Sequence, residues 1–332
     1  MVSGPGPGVL RPVCEQDLPR IHQIAVAAWR PIFARYRLIV GEEMWQDLWG
    51  DWEGTWCAPS PERCNDTTLV TAVDGQVVGF ATWEHPGDCL AEVGGNAVDP
   101  AFQGRGIGTA QIRAVIARLR QAGSTYATVH TGLDPAHGPA RAEYRKAGLR
   151  LGVSTSEYYN YLEEAARPPV RSELTCRWAE PADAESVRQL LQQNWNGAGT
   201  PARQVLGDVL FEVAVAGPAR CRLNELVGLT AATPPRLRVA VSDGRPIGAA
   251  VVDVDAARHL GTIESLSVHP ACRDQGVGCA LCADAVSHFR ACGLRHARLR
   301  SRAGGVTERM RRLAWHAGLY RELPSIDYYM HL

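Results

Sequence analysis

Residues 92–109 read EVGGNAVDPAFQGRGIGT, and this stretch decides the fold class. An apolar-tending strand leads into an Asp-Pro pair, a glycine-rich turn follows, and a helix begins directly after the turn. Glycine adopts left-handed backbone angles without steric cost, so Gly104, Gly106 and Gly108 allow a tight turn whose N–H groups face one point. The first turn of the helix adds unpaired donors and a partial positive charge. The stretch therefore predicts a turn that binds phosphate.

The turn occurs twice in the chain. When the sequence is shifted by 170 residues against itself, residues 98–108 align with 268–278, and Gly106 and Gly108 fall on Gly276 and Gly278. The alignment continues without a gap to a tyrosine pair, 158–159, which falls on a second pair at 328–329. An ungapped match of this length predicts an internal repeat.

The repeat predicts two copies of one domain, which we assign to residues 1–165 and 166–332. Near the start of each copy, a shift of 166 residues places Asp17 on Asp183, so short insertions separate the copies there. The Pro-containing stretch at 165–169 is the expected linker.

Each copy is expected to contain the same elements in the same order. In the first copy, a strand at 9–13 precedes a helix that Asp17 caps and that runs through Trp29, and a second helix covers 42–49. The further predicted strands are 68–73, 76–84, 90–98, 127–130 and 158–162, with a helix after the glycine turn and another that ends near Gly148. Asp-Gly pairs at 74–75 and 243–244 predict hairpin turns.

The helix after each turn carries apolar residues at i, i+3, i+4 and i+7, which predicts packing against a sheet. These residues are Ile112, Val115, Ile116 and Leu119 in the first copy, and Cys282, Ala285, Val286 and Phe289 in the second. The predicted class is α+β: two tandem domains, each a mixed and mostly antiparallel sheet with helices on both faces.

Composition narrows the possible partners. The 332 residues contain 35 Lys and Arg against 35 Asp and Glu, a neutral balance that argues against nucleic-acid binding. Of the 35 lysine and arginine residues only Lys146 is a lysine, which indicates a GC-rich genome. No apolar run is long enough to span a membrane, and residues 1–8 lack the pattern of a secretory signal, so we expect a cytoplasmic protein with a flexible N-terminal tail. We expect no metal, because the ten cysteines are scattered and the single CxxC, Cys279 and Cys282, lies on a predicted helix.

Two common phosphate-binding classes do not fit the turn. A Walker loop requires Lys-Ser/Thr after its last glycine, whereas Thr109-Ala110 follows Gly108. A dinucleotide-binding fold has its glycines after the first strand, whereas this turn follows the fourth. Nucleotide hydrolysis and hydride transfer are therefore disfavoured.

The pattern Gln103-x-x-Gly106-x-Gly108 after Val-Asp-Pro resembles the pyrophosphate loop of the GNAT superfamily of N-acetyltransferases. Arg273-x-x-Gly276-x-Gly278 after Val-His-Pro resembles it again, so the resemblance covers both halves of the chain. The implied co-substrate is acetyl-CoA, with its pyrophosphate on the turn and its pantetheine arm along the strand end. The implied contacts in the first copy are Ala97, Val98, Gln103, Gly104, Arg105, Gly106, Ile107, Gly108 and Thr109. In the second copy they are Val268, Arg273, Gln275, Gly276, Val277 and Gly278.

The resemblance also implies catalytic residues. Tyr144, four residues before Gly148, stands where a family tyrosine often protonates the departing thiolate, and the second copy has Ala314 there. In addition, Asp274 replaces the first glycine of the second turn. Glu92 is the candidate base, and on a regular strand its side chain shares a face with Asn96. An ordinary polar strand residue is an equally good interpretation of Glu92.

The acceptor site is harder to predict. Trp45, Trp49 and Trp52 are spaced as on one helical face, which favours burial for the first two, and Trp52 and Trp56 are the better candidates for substrate contact. Asn96 and His137 complete the predicted set. For His137, ordering of its loop is the competing interpretation.

The function expected from these residues is acetyl transfer to the amine of a small molecule, with secondary metabolism as the setting. The first copy would be catalytic and the second degenerate or substrate-shaping. Two alternatives stay open: a non-catalytic acyl-CoA-binding or sensing protein, and a chain in which both copies catalyse. The acceptor, the acyl chain length and the oligomeric state leave no signal in the sequence.

Overall fold

A computed structural model describes residues 8–57, 66–85, 89–165, 174–198, 200–301 and 307–332. The predicted N-terminal tail, apart from Gly8, and the predicted linker beyond residue 165 lie outside these ranges. The chain divides into two compact units: unit 1 contains 1–38, 49–153 and 325–332, and unit 2 contains 39–48 and 154–324.

Unit 1 follows the predicted element order. Its strands and helices begin with β1 (Val9–Pro12), α1 (Leu18–Val40, whose last two residues belong to unit 2), α2 (Glu42–Trp49, of which only Trp49 belongs to unit 1) and α3 (Trp52–Thr55). They continue with β2 (Thr68–Val73), β3 (Gln76–Glu84), β4 (Leu90–Val98), α4 (Ile107–Gln121), β5 (Tyr126–Gly132) and α5 (Gly138–Ala147). β6 (Leu151–Tyr161) begins in unit 1 and continues into unit 2.

Unit 2 repeats the order. Its elements are β7 (Thr175–Trp178), α6 (Ala184–Ala198), α7 (Thr200–Phe211), α8 (Gly217–Gly228), β8 (Leu237–Ser242), β9 (Arg245–Asp255), β10 (Leu260–Val268), α9 (Val277–Ala291), β11 (His296–Ser301) and α10 (Glu308–His316). β12 (Arg321–His331) begins here and ends in unit 1. Among the described residues, no helix combines the length and apolarity needed to cross a membrane.

Two strand segments are exchanged between the halves of the sequence. In unit 1 the neighbour of β5 is the second half of β12, with Tyr329 opposite Thr128. In unit 2 the neighbour of β11 is β6, with Tyr159 opposite Arg298. The repeat gives β6 and β12 similar side-chain alternation, so each strand can complete the other half's sheet. Unit 2 thus contains residues 39–48 and 154–165 of the first half, and unit 1 contains residues 325–332 of the second.

The sheet of unit 1 is mixed. Its strands pair in the order β1, β2, β3, β4, β5 and β12, and only β4 and β5 run parallel. The α4 stripe predicted from the sequence is buried against this sheet with Tyr144 and Tyr328. On the opposite face, Trp29 of α1 packs edge-on against Phe80. We call these two sides of unit 1 the α4 face and the α1 face.

The sheet of unit 2 pairs in the order β6, β11, β10, β9, β8 and β7. One face packs against α9, whose predicted stripe is buried, and the other packs against α6 and α8. The start of both units is built alike. Asp17 accepts two hydrogen bonds from Arg11, both 2.7 Å, and Asp183 accepts two from Arg177, at 2.6 and 2.9 Å. The N-cap residue is Cys14 and not Asp17 as predicted; Asp17 is the third residue after it.

A β-bulge in β4 overturns the predicted orientation of Glu92. Asn96 pairs with Ala81 and Val93 pairs with Trp83, so β4 has one residue more than β3 between these pairs. Paired residues share a face of the sheet, and the extra residue reverses the alternation. Asn96 therefore lies on the α4 face and Glu92 on the α1 face, contrary to the prediction.

The tryptophan stripe predicted on one helical face is also wrong. α2 ends at Trp49, and Asp51 caps a separate short helix by accepting a hydrogen bond from the Gly54 N–H at 3.2 Å. The break leaves Trp45 and Trp49 on α2 and places Trp52 on α3. Trp45 is buried, as expected.

Candidate functional site

The first glycine turn has the geometry expected of an anion-binding turn. Gly104 and Gly106 both adopt left-handed backbone angles, with φ of +76° and +80°. Gly106 caps α4, which begins at Ile107, so the free N–H groups of the first turn point out of the helix end beside the glycines. The Gln103 side chain donates from Nε2 to the Val98 carbonyl at 3.0 Å and ties the turn to the end of β4.

Beside this turn, β4 and β5 separate. Their parallel pairing ends at Glu92 opposite Thr128, although β4 continues to Val98 and β5 to Gly132. Within the described part of the chain, residues 93–98 have β3 as a ladder neighbour on one side and none on the other. We call the opening between 93–98 and 129–132 the β4–β5 gap. One edge of β4 therefore offers backbone donors and acceptors to an extended ligand arm.

Three polar side chains lie together on the α4 face next to the gap. The buried Tyr144 hydroxyl donates to Asn96 Oδ1 at 2.7 Å, and the Glu143 carboxylate accepts from the Asn96 amide. Glu143 also covers Gly108: a Cβ at that glycine would lie 2.4 Å from the carboxyl group. We call Asn96, Glu143 and Tyr144 the polar trio.

Burial sets the protonation of the polar trio. Burial raises the pKa of the Tyr144 phenol, and the neighbouring Glu143 charge raises it further. Burial also raises the pKa of the Glu143 carboxyl, although the Asn96 hydrogen bond and the Lys146 charge oppose this change. Tyr144 therefore keeps its proton at neutral pH and can act as a donor.

The second turn keeps the backbone of the first. Gly276 caps α9 with φ of +86°, and Arg273 donates to the Val268 carbonyl at 3.4 Å, as Gln103 does to Val98. Asp274, at the position of Gly104, also adopts a left-handed angle, with φ of +59°, and its carboxylate pairs with Arg309 at 2.8 Å.

The polar trio has no counterpart in unit 2. A shift of 170 residues carries Asn96, Glu143 and Tyr144 onto Leu266, Leu313 and Ala314. These three apolar side chains occupy the same places, since Leu266 and Leu313 are the side chains that a Cβ at Gly278 would meet. Ala314 is fully buried in the core of unit 2.

In unit 2 an ion cluster also spans the opening between β10 and β11. Their pairing ends at Ile263 opposite Leu299. Beyond it, Arg300 of β11 donates to both Glu264 oxygens, at 2.7 and 2.9 Å, and to Glu157 at 2.8 Å. Side chains that pair across an opening restrict what can pass through it. Unit 2 therefore keeps the turn but has a bridged opening and lacks the polar trio.

Glu92 occupies the α1 face beside the gap. Its neighbours in register are Thr128 of β5 and, one strand further, Tyr329 of β12. Burial raises the pKa of Tyr329, and the charges of Asp327 and Glu92 raise it as well. Glu92 and Tyr144 thus lie on opposite sides of the sheet, a separation that the sequence prediction did not include.

The predicted acceptor residues fall into different surroundings. Trp52 is 9% exposed and packs on Phe33 with ring centroids 4.5 Å apart, whereas Trp56 is 58% exposed. His137 stacks on Tyr36, and its Nδ1 lies 2.5 Å from Asp134 Oδ2. This contact fits the competing interpretation of His137 as a residue that orders its loop.

Glu143 is a site residue that sequence reasoning missed. The signal was present, because the 170-residue shift replaces a carboxylate next to Tyr144 by Leu313. The described residues contain no cluster of His, Cys, Asp and Glu side chains suited to a metal ion.

The chain matches the model of one protein family. The model of the acetyltransferase (GNAT) family matches at two separate regions, 26–149 and 208–311. A search of curated protein sequences gave no match.

Solved structures are similar over the whole chain. A GCN5-related N-acetyltransferase from Sphaerobacter thermophilus aligns with a TM-score of 0.60 at 17% identity, covering 98% of this chain and 96% of that one. A tandem GNAT protein from the clavulanic acid biosynthesis pathway aligns with a TM-score of 0.53 at 14% identity, covering 97% of this chain and 98% of that one. At these identities the similarity shows the fold.

Proposed function

Because the chain belongs to the GNAT acetyltransferase family, we propose that it is an acetyl-CoA-dependent N-acetyltransferase whose first unit carries the chemistry. The acceptor is the amine of a small molecule, and secondary metabolism is the expected setting. The observation that carries the assignment to unit 1 is the polar trio, which lies beside the glycine turn there and is replaced by apolar residues in unit 2.

Acetyl-CoA would bind unit 1 through backbone groups. Its pyrophosphate would accept hydrogen bonds from the N–H groups of residues 104–109, where the α4 dipole adds partial positive charge. Its pantetheine arm would pair with residues 93–98 of β4 as an additional strand in the β4–β5 gap. The thioester would then reach the level of Asn96 and Tyr144.

Tyr144 would supply the proton for the leaving thiolate. The amine nitrogen attacks the thioester carbonyl carbon, the C–N bond forms, the C–S bond breaks, and the sulfur takes the phenolic proton. The nitrogen loses one proton to solvent, and the phenolate regains one from it. The raised pKa of Tyr144 keeps this proton in place until charge develops on sulfur. Asn96 and Glu143 hold the phenol in position as its hydrogen-bonding support.

One assay tests the proposal. The purified protein is mixed with acetyl-CoA and a panel of small amines, and thiol release is followed. We expect turnover with at least one amine and a loss of about 100-fold or more in kcat for Tyr144→Phe. Tyr320→Phe, an exposed tyrosine of unit 2, is the matched control and should keep the parent's rate. Unchanged turnover in Tyr144→Phe would reject the phenol as donor.

Binding stoichiometry separates the alternatives. Both positions require left-handed angles that valine disfavours, so each substitution distorts its own turn. We expect one acetyl-CoA per chain, lost in Gly106→Val and kept in Gly276→Val, because the proposal places the binding site in unit 1. Tight binding without turnover of any amine would favour a sensing protein. Two sites with activity lost in both variants would favour two catalytic units. Activity lost in Gly276→Val alone would reverse the assignment of the working unit.

A further inference from the structure

We propose that His130 is the general base that deprotonates the acceptor amine, with Asp327 as its positioning residue. The proposal rests on the proposed function of unit 1 and extends it to the acceptor half of the reaction. It departs from the sequence prediction, in which Glu92 was the candidate base.

The pair is formed by the strand exchange. Asp327 lies on β12, directly opposite His130 of β5, and the two residues are 197 positions apart in the sequence. His130 Nδ1 lies 2.6 Å from Asp327 Oδ1. A carboxylate at this distance accepts the Nδ1 proton and so selects the tautomer whose Nε2 is basic. The imidazole side chain is 57% exposed, which leaves it accessible to a ligand.

The pair also lies beside the β4–β5 gap, where the proposal places the thioester. The last β4–β5 pair is Glu92 with Thr128, and His130 is two residues further along β5 on the same α1 face. It therefore lines the β4–β5 gap. The polar trio borders the same gap on the α4 face. A thioester held in the gap would have a proton donor on one side and a base on the other.

This arrangement divides the proton transfers between two faces. The acceptor approaches on the α1 face as an ammonium ion, and His130 Nε2 takes one proton and passes it to solvent. The free amine attacks the carbonyl carbon, the C–N bond forms, and the C–S bond breaks. The nitrogen then loses its second proton to solvent, and the Tyr144 phenolate, having protonated the thiolate, regains a proton from solvent. The net products are the amide, the free thiol and one proton.

An imidazole suits this task near neutral pH. Imidazole is the side chain best suited to take a proton from an ammonium ion and release it to solvent near neutral pH. Among the described residues, Glu92, Asp327 and Tyr329 lie near His130 on the neighbouring strands. A Cβ at Gly132, two residues further along β5, would meet Asp134 and His137, and His137 stacks on Tyr36 of α1. The register equivalents of His130 and Asp327 in unit 2 are Arg300 and Glu157, a pair without a basic nitrogen at neutral pH.

The test compares pH profiles with one acceptor amine. In the parent, kcat/KM should fall at acid pH along a limb set by the imidazole. His130→Gln should lower kcat about 100-fold or more and remove that limb. Asp327→Asn, which keeps the side-chain shape, should cause a smaller loss and shift the limb to lower pH, because the carboxylate that favours the imidazolium is gone. A purely structural role would not move the limb.

Two controls complete the experiment. His331→Gln changes an exposed histidine on β12, the strand of Asp327, at the far end of its pairing with β5, and should leave the profile unchanged. The dissociation constant of acetyl-CoA should stay at the parent's value in every variant. If His130→Gln keeps the parent's rate and limb, or if Glu92→Gln removes the limb instead, His130 is not the base. Parent turnover with amines would still support the N-acetyltransferase proposal in that case.

Discussion

Replacing Asn96 by leucine, Asn96→Leu, tests whether the polar trio acts as one connected unit. The change removes the acceptor of the Tyr144 hydroxyl, now 2.7 Å away, and the donor to Glu143. A buried hydroxyl without a partner costs about 1–3 kcal/mol. Glu143 is only partly buried and can regain water, so it adds less. We therefore expect unit 1 to lose about 2 kcal/mol of local stability.

Combining Asn96→Leu with Tyr144→Phe measures how strongly the two side chains are coupled. The double variant removes the hydroxyl that Asn96→Leu leaves unpaired, so its loss should not exceed that of Asn96→Leu alone. The two substitutions should therefore couple by at least about 1 kcal/mol. Hydrogen exchange of the α5 and β4 peptides, followed by mass spectrometry, measures the local free energy of opening. Thiol release on the same samples should be lost in the double variant.

The reverse substitution in unit 2 is the matched control. Leu266→Asn would place an amide among Leu313 and Ala314, where the structure has no polar trio to receive it. We expect about 1–3 kcal/mol of lost protection in the α9 and α10 peptides. Additive losses for Asn96→Leu and Tyr144→Phe, or an unchanged exchange rate in Asn96→Leu, would refute the reasoning.

Two further changes test the fold. Hydrogen bonds from Arg11 lower the pKa of Asp17 from 3.8 to about 2. The Arg11 side chain is 38% exposed, so after allowance for solvent this shift contributes about 1–2 kcal/mol to the free energy of unfolding. Asp17→Asn should lose this stability at pH 7, and in urea unfolding the difference from the parent should vanish as the pH falls from about 4 towards 2; a constant difference would contradict the ion pair. Gly261→Ala should cost about 1–3 kcal/mol, because its Cβ would lie 2.2 Å from the buried Phe289 ring. Gly228→Ala, with open space and ordinary helical angles, should be neutral or stabilising by thermal unfolding; equal effects of both glycine variants would be inconsistent with the described packing.

Local patterns predicted much of the fold because they depend on neighbouring residues. Both Asp-Gly turns have left-handed angles at both positions, as the hairpin type requires, and β2, β3 and β4 have the predicted bounds. The α4 and α9 stripes are buried as the 3.6-residue period indicated. The presence of two GNAT regions was predicted as well, because the repeat placed the same turn at the same strand-to-helix junction twice.

Features that depend on distant residues could not be predicted in this way. The bulge at Gly94 and Gly95 reverses the face of Glu92, and nothing in the strand's own alternation marks it, since glycine has no side chain to reveal a face. The strand exchange was hidden because β6 and β12 carry similar patterns and either fits either edge. The contact between His130 and Asp327 follows from that exchange, so the sequence pattern could not predict it either.

The exchanged strands also determine the order in which the protein can be completed on the ribosome. Unit 1 contains the first turn and the polar trio, yet its sheet ends at an open β5 edge until residues 325–331 have been synthesised. An unfilled edge attracts other strands, and β6, which is made much earlier, is a chemically similar competitor for it. A chain interrupted before β12 therefore has the turn but neither a closed sheet nor Asp327. The sheet of the first unit would therefore be completed only once the second half has been translated.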